Sequence, residues 1–165
     1  MDRITIFGIS GSGKSTFANE LGKKLGRPIV SLDKIFWDSN WQRRYPTKVE
    51  FKQAVKKIVD EDKWIIEGSY KKTIDMRLER ADVIVYFDFP VWRCLWRAFI
   101  RMFEKHESFK GPDGAKQKLG WDLIKYIVQF PKKEMLLLVE NYKDTKKIFI
   151  VRNNREIKET LEKMC

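Results

Sequence analysis

The chain has 165 residues, 43% hydrophobic and 35% charged, a balance that fits one folded domain with its own core and excludes a disordered chain. Lys and Arg total 34 against 23 Asp and Glu, a net charge of +11 that favours polyanionic partners without choosing between nucleotide and nucleic acid. Cys94 and Cys165 match no metal or redox spacing, and no apolar run suffices for a bilayer span or a signal peptide. The expectation is a reducing, cytoplasmic setting with no membrane attachment.

In chain order, residues 3–8 are a short apolar run that stops at Gly8, which predicts a buried strand. Phe17, Ala18, Leu21 and Leu25 recur at helical spacing over 14–25, and Gly26 is placed to end that helix. A second strand is expected over 28–32 and an irregular segment over 34–47, followed by a helix over 49–59 and a strand over 63–67 that ends at Gly68. A short helix closes at Arg80, and the β-branched and aromatic run 82–87 predicts a strand covered on both faces. Pro90 opens the next helix, expected to reach about residue 104. Residues 108–120 have the Gly- and Pro-rich composition of a loop. A helix over 121–142 with a kink at Pro131, a strand over 147–151 and a helix over 155–164 complete the chain. Strands that alternate with helices call for a parallel sheet with helices on both faces, with ligands bound beyond the carboxyl ends of the strands. Gly8, Asp33, Glu67 and Asp88 all fall at such ends.

The segment Gly8-Ile9-Ser10-Gly11-Ser12-Gly13-Lys14-Ser15-Thr16 satisfies G-x-x-x-x-G-K-[ST] between a predicted strand and a predicted helix. The glycines let the backbone curl so that successive amides of Gly8, Ser10, Gly11, Ser12, Gly13 and Thr16 point at phosphate oxygens. The helix that starts near Lys14 adds its positive end, the Lys14 ammonium reaches the outer phosphates, and the Ser15 hydroxyl suits magnesium. The cofactors expected are therefore a nucleoside triphosphate and Mg2+.

These residues, together with Ser31-Leu32-Asp33, Trp64-Ile65-Ile66-Glu67-Gly68-Ser69-Tyr70, Met76-Arg77-Leu78-Glu79-Arg80-Ala81-Asp82, Phe87-Asp88-Phe89-Pro90 and Arg93-Cys94-Leu95-Trp96-Arg97, resemble the P-loop kinases of the adenylate kinase and shikimate kinase type. More closely, they resemble the small bacterial DNA topology modulation proteins related to a flagellar regulator. The resemblance implies an α/β P-loop fold in one domain over 1–165, a five-stranded parallel sheet, ATP as the triphosphate, an acceptor region over 33–62 and a lid over 103–120.

By this resemblance Asp33 contacts the acceptor, either taking a proton from its hydroxyl or holding it in line; the alternative is a turn cap. Trp37 lies where related kinases build the acceptor site, and its face, with that of Trp41, can stack on a base. Gly68 allows close approach of the acceptor, and Glu67 stands where related kinases place an Asp that serves magnesium. Asp88 is a second candidate for the metal, with helix capping as its first reading. Arg93, Arg97 and Arg101 share one helical face. Arg97 and Arg101 match the pair that serves ATP at the lid hinge, one on the adenine and the other on transferring phosphates. Arg77, or the Arg43–Arg44 pair, is available for an acceptor anion, and the loop carrying Arg152 for the adenine edge. His106 reads as an exposed polar residue.

The function expected first is a kinase that transfers the γ-phosphoryl of Mg-ATP to a small molecule: a nucleotide, a nucleoside or a similar metabolite. The alternative is an ATP-switched DNA-binding regulator, which the +11 charge supports but for which no helix-turn-helix, zinc or RNA-binding motif is present.

Overall fold

In the computed structural model, residues 1–100 and 121–165 are described. The expected lid over 103–120 and Arg101 lie outside the described residues. Five strands, β1 (Arg3–Gly8), β2 (Ile29–Ser31), β3 (Trp64–Glu67), β4 (Val83–Phe87) and β5 (Lys147–Val151), form an all-parallel sheet in the order β2-β3-β1-β4-β5. Between and after them come the helices α1 (Lys14–Leu25), α2 (Leu32–Phe36), α3 (Lys48–Val59), α4 (Lys71–Arg80), α5 (Val91–Ile100), α6 (Trp121–Val128), α7 (Lys132–Glu140) and α8 (Asn154–Met164). Every residue of β3 and β4 is buried, which a strand achieves only when both faces of its sheet are covered. The expected α/β architecture is present.

Local chemistry sets the boundaries. Gly26 takes a left-handed conformation (φ 62°) and its N–H returns to the Gly22 and Lys23 carbonyls, ending α1 as expected. Thr47 and Glu50 form a reciprocal capping box that opens α3. The second strand is shorter than expected because Leu32 already begins α2, with Asp33 in its first turn, where a carboxylate complements the helix dipole. The single kinked helix expected over 121–142 is two helices, because Pro131 lacks an N–H, cannot continue α6, and sits instead at the N-cap of α7.

Helix α5 turns its polarity round. Cys94 and Ala98 are its buried residues, while Trp92, Trp96 and Phe99 are exposed. The arginine side faces the protein: Arg93 and Arg97 lie 5.5 and 5.0 Å from the centroid of the buried Phe89 ring. Arg93 and Arg97 are thus directed inward rather than solvated.

Strand β1 has β3 on one side and β4 on the other, so the strand order reverses beside it and opens a crevice at its carboxyl end. The register places Gly8 opposite Phe87, Ile6 opposite Glu67, and Glu67 opposite Ser31. Residues far apart in sequence therefore end at one edge of the sheet.

Candidate active site

The loop after β1 curls through Gly8 (φ 137°), Gly11 (φ 82°) and Gly13 (φ 102°). At Gly11 the constraint is spatial as well as conformational, since a Cβ would stand 2.6 Å from the Cys94 carbonyl oxygen of α5. Inside the turn, Ser12 Oγ and Lys14 Nζ both donate to the Ile9 carbonyl, at 2.7 and 2.8 Å. Lys14 is buried, so its ammonium is held across the loop at the mouth of α1.

Glu67, at the carboxyl end of β3, is almost wholly buried. Ser31 Oγ donates to its Oε2 at 3.3 Å, and Ser15 is a second hydroxyl partner. Burial pushes its carboxyl above the usual range, the Lys14 charge opposes that, and the Asp33 charge adds to it. The structure thus brings together Lys14, Ser15, Glu67 and Asp33, as the spacing of the strand ends implied. Among the described residues no group of three or more His, Cys, Asp or Glu side chains could hold a metal by itself. A magnesium ion fits this setting, because it prefers few protein oxygens and takes the remainder of its shell from phosphate and water. Glycines that curl the backbone after β1, and a buried carboxyl beside the Ser15 hydroxyl, suit Mg-ATP.

On the acceptor side, Tyr70 Oη donates to Asp33 Oδ1 at 2.7 Å, and the Trp37 side chain is a further hydrogen-bond partner of the phenol. Burial, then the Asp33 charge, raises the Tyr70 phenol well above its ordinary value, so it remains a donor at any working pH. The Tyr70 ring packs 5.1 Å from Phe36 and 5.0 Å from Phe51. Gly68 (φ 139°) packs against Leu32, whose Cβ would lie 2.8 Å from any Cβ added there; this close approach holds α2, and with it Asp33, against the end of β3. Ser69 Oγ accepts from the Gly8 amide at 3.0 Å and also bonds the Gly8 carbonyl, tying the acceptor side to the phosphate loop. Tyr126 of α6 reaches the same point, its hydroxyl donating to the Ser69 carbonyl at 3.3 Å. Its phenol is pushed up to about 12 by burial and the Asp33 charge.

Arg77, read as available for an acceptor anion, is closed off from solvent in this structure. It is fully buried, donating from Nε to the Thr73 carbonyl (3.2 Å) and from Nη1 to the Gly68 carbonyl (2.9 Å) and Thr5 Oγ1 (3.4 Å). Burial lowers its pKa to about 10, with Glu67 opposing the fall. In this structure it braces the Gly68 turn from beneath.

Arg97 does reach the phosphate loop. Its Nη1 donates to the Ser12 carbonyl at 2.7 Å and its Nη2 to Asn154 Oδ1 at 2.5 Å, so it links α5, the loop and the start of α8. Burial, then Arg93, lowers its pKa. Asp88 is not at the metal-side cluster: its carboxylate pairs with Lys132 Nζ at 2.9 Å and with Arg152 Nε at 3.5 Å. The Arg152 side chain is accordingly turned toward Asp88, while its amide donates to Glu156 Oε2 at 2.6 Å. Ser69, Tyr70, Tyr126 and Asn154 are site neighbours that sequence reasoning did not assign. Ser69 and Tyr70 follow Glu67-Gly68 directly, which was a usable signal; Tyr126 carries none.

Solved structures share the fold over nearly the whole chain. A shikimate kinase from Bacteroides thetaiotaomicron matches with a TM-score of 0.57 at 16% identity, covering 99% of this chain and 95% of that one. The fold is that of the P-loop kinases. A shikimate kinase from Acinetobacter baumannii, solved in complex with shikimate, matches with a TM-score of 0.58 at 16% identity, covering 99% and 90%. A gluconokinase from Sinorhizobium meliloti 1021 matches with a TM-score of 0.55 at 15% identity, covering 99% and 93%. No protein-family model matches the sequence, and no curated protein matches it. The P-loop kinase fold accounts for the crevice beside β1, and the strand ends there carry this chain's own residues. No helix among the described residues is long and apolar enough to cross a membrane.

Proposed function

We propose that the protein is an ATP-dependent small-molecule kinase. One observation carries the reading: a glycine turn with a buried Lys14, the Ser15 hydroxyl beside the buried Glu67 carboxyl, and the Asp33 carboxylate held by Tyr70 all meet at one edge of the sheet. Solved kinases with the same fold support it.

In this reading the loop amides, Lys14 and the amino end of α1 bind the phosphates, and Ser15 and Glu67 hold the magnesium directly or through water. Bound Mg2+ screens the charge that develops on the transferring phosphoryl group. Glu67 is ionised in that state, because the metal and Lys14 offset the cost of its burial. Arg97 fixes the shape of the loop through the Ser12 carbonyl. Tyr70 fixes one oxygen of Asp33 and leaves the carboxylate to orient the acceptor and take its proton. Arg101 completes the ATP side as an expectation from sequence, and the resemblance to the topology modulation proteins is part of the same proposal.

The +11 charge supports the second reading, an ATP-switched DNA-binding regulator. It ranks below the first because a switch needs no carboxylate poised on the acceptor side. Measuring ADP formation from Mg-ATP with small hydroxylated metabolites, and separately with plasmid DNA, tests the choice. Stimulation by DNA alone would favour the regulator.

A further inference from the structure

Building on the kinase reading, we infer that the acceptor presents a hydroxyl, not a phosphate, and carries a flat aromatic ring beside it, as a nucleoside does. Two features of the acceptor side lead there.

The first is charge. Asp33 is exposed in the first turn of α2, directly after β2, whose last residue Ser31 lies opposite Glu67 in the sheet. An acceptor phosphate placed beside Asp33 meets like charge, and Arg77, with Nε and Nη1 on the carbonyls of Thr73 and Gly68, is fully buried and presents no surface to it. A hydroxyl instead gains from a carboxylate. Asp33 Oδ1 is engaged by Tyr70, and Oδ2 is left to take the acceptor proton. As the proton moves to Asp33, the acceptor oxygen bonds the γ-phosphorus and the bond from that phosphorus to the bridging oxygen breaks. The products are a phosphomonoester, ADP and a proton released from Asp33.

The second is shape. Trp37 and Trp41 are partly buried, with ring centroids 6.2 Å apart. Trp41 has a left-handed backbone (φ 60°), unusual for a bulky residue. The turn is held by Asp38 Oδ1, which accepts from the Asn40 and Gln42 amides at 2.8 Å each, and by an antiparallel bridge between Trp37 and Arg43. Trp37 is wedged edge-on against Phe36 at 4.7 Å and bonds the same phenol that bonds Asp33. The indole surface and the proton acceptor are therefore parts of one fixed unit. Such indole faces pair well with a planar π partner. Arg43 stands over the Phe36 ring at 5.8 Å, two rings removed from Asp33, where it borders the platform and not the point of transfer.

The test is steady-state ADP formation from Mg-ATP with adenosine, guanosine, cytidine and thymidine, their 5′-monophosphates, shikimate and gluconate. It is repeated with Trp37→Ala and with Trp41→Asn, the latter because Asn tolerates the left-handed backbone should Trp37→Ala not fold. Expected is one nucleoside used at least tenfold better in kcat/KM than its monophosphate and than either acid. Trp41→Asn should raise KM for that nucleoside about tenfold, with most of the loss in KM rather than kcat. A monophosphate or an aliphatic acid preferred by tenfold, or a KM indifferent to both tryptophans, overturns the inference and leaves the kinase reading standing. No acceptor-dependent ADP from any compound overturns both.

Discussion

The Tyr70 hydroxyl donates a 2.7 Å hydrogen bond to Asp33 Oδ1 across the gap between the first turn of α2 and the start of α4. It sets the direction of a carboxylate that is otherwise exposed. Tyr70→Phe keeps the ring packed on Phe36 and Phe51 but frees Asp33 to rotate. The expected result is a fall in kcat of about tenfold with the fold retained, which is on the scale of losing one orienting hydrogen bond. Steady-state kinetics of both proteins, with the fold of the variant verified by circular dichroism, checks this.

Glu67 beside Ser15 implies a dependence on metal. Glu67→Gln keeps the shape of the side chain and removes the charge that offsets a cation. Half-maximal activity should then need about tenfold more Mg2+, as for partners that tune a bound metal. A magnesium titration of wild type and variant reads this directly; equal midpoints would remove Glu67 from the metal site.

Arg97 braces the phosphate loop and the start of α8 together. Arg97→Ala should raise the KM for ATP about tenfold, while Asn154→Ala, which removes only the outer contact, should raise it about threefold, in line with losing charge-assisted hydrogen bonds one at a time. Arg77→Ala should behave differently. It leaves unpaired carbonyls and a cavity in the core, so a loss of about 3 kcal/mol, or about 6–12 °C in melting temperature, is expected. Calorimetry on the two variants separates a binding residue from a structural one.

How much of this could be read from sequence follows from the range of the interactions. The glycine loop and the strands were legible because strand burial and turn chemistry are written in neighbouring residues. The convergence of Gly8, Asp33 and Glu67 followed from the alternation of strands and helices alone. The burial of Arg77 was not read, although it was encoded: Thr73, Ile74 and Leu78 are the other buried residues of α4, so Arg77 lies within the buried stripe. Asp88 was legible as a strand-end carboxylate, but its partners Lys132 and Arg152 lie 44 and 64 positions away by number (132 − 88 and 152 − 88) and no local pattern announces them. Tyr126 meets Ser69 across 57 positions for the same reason.

Asp82 offers a test of the fold that is independent of catalysis. Its burial would raise its pKa, but the Arg3 side chain and the Arg3 and Asp2 amides together lower it to about 2. A carboxyl whose folded value lies below its unfolded one stabilises the protein above the unfolded value, and that stability is lost as pH falls toward about 2. After allowance for solvent screening the contribution is about 1 kcal/mol. Urea unfolding of wild type should weaken between about pH 4 and pH 2 by more than that of Asp82→Asn.

Phosphoryl transfer from Mg-ATP to a small molecule at the Lys14 loop is read most directly by quantifying ADP and phosphorylated product together, for wild type and for Lys14→Ala with its fold verified by circular dichroism. Expected are one product per ADP in wild type and a loss of at least about a hundredfold in the variant, on the scale of removing a group that stabilises transition-state charge. ADP formed without a phosphorylated product, or equal turnover in the two proteins, would contradict it.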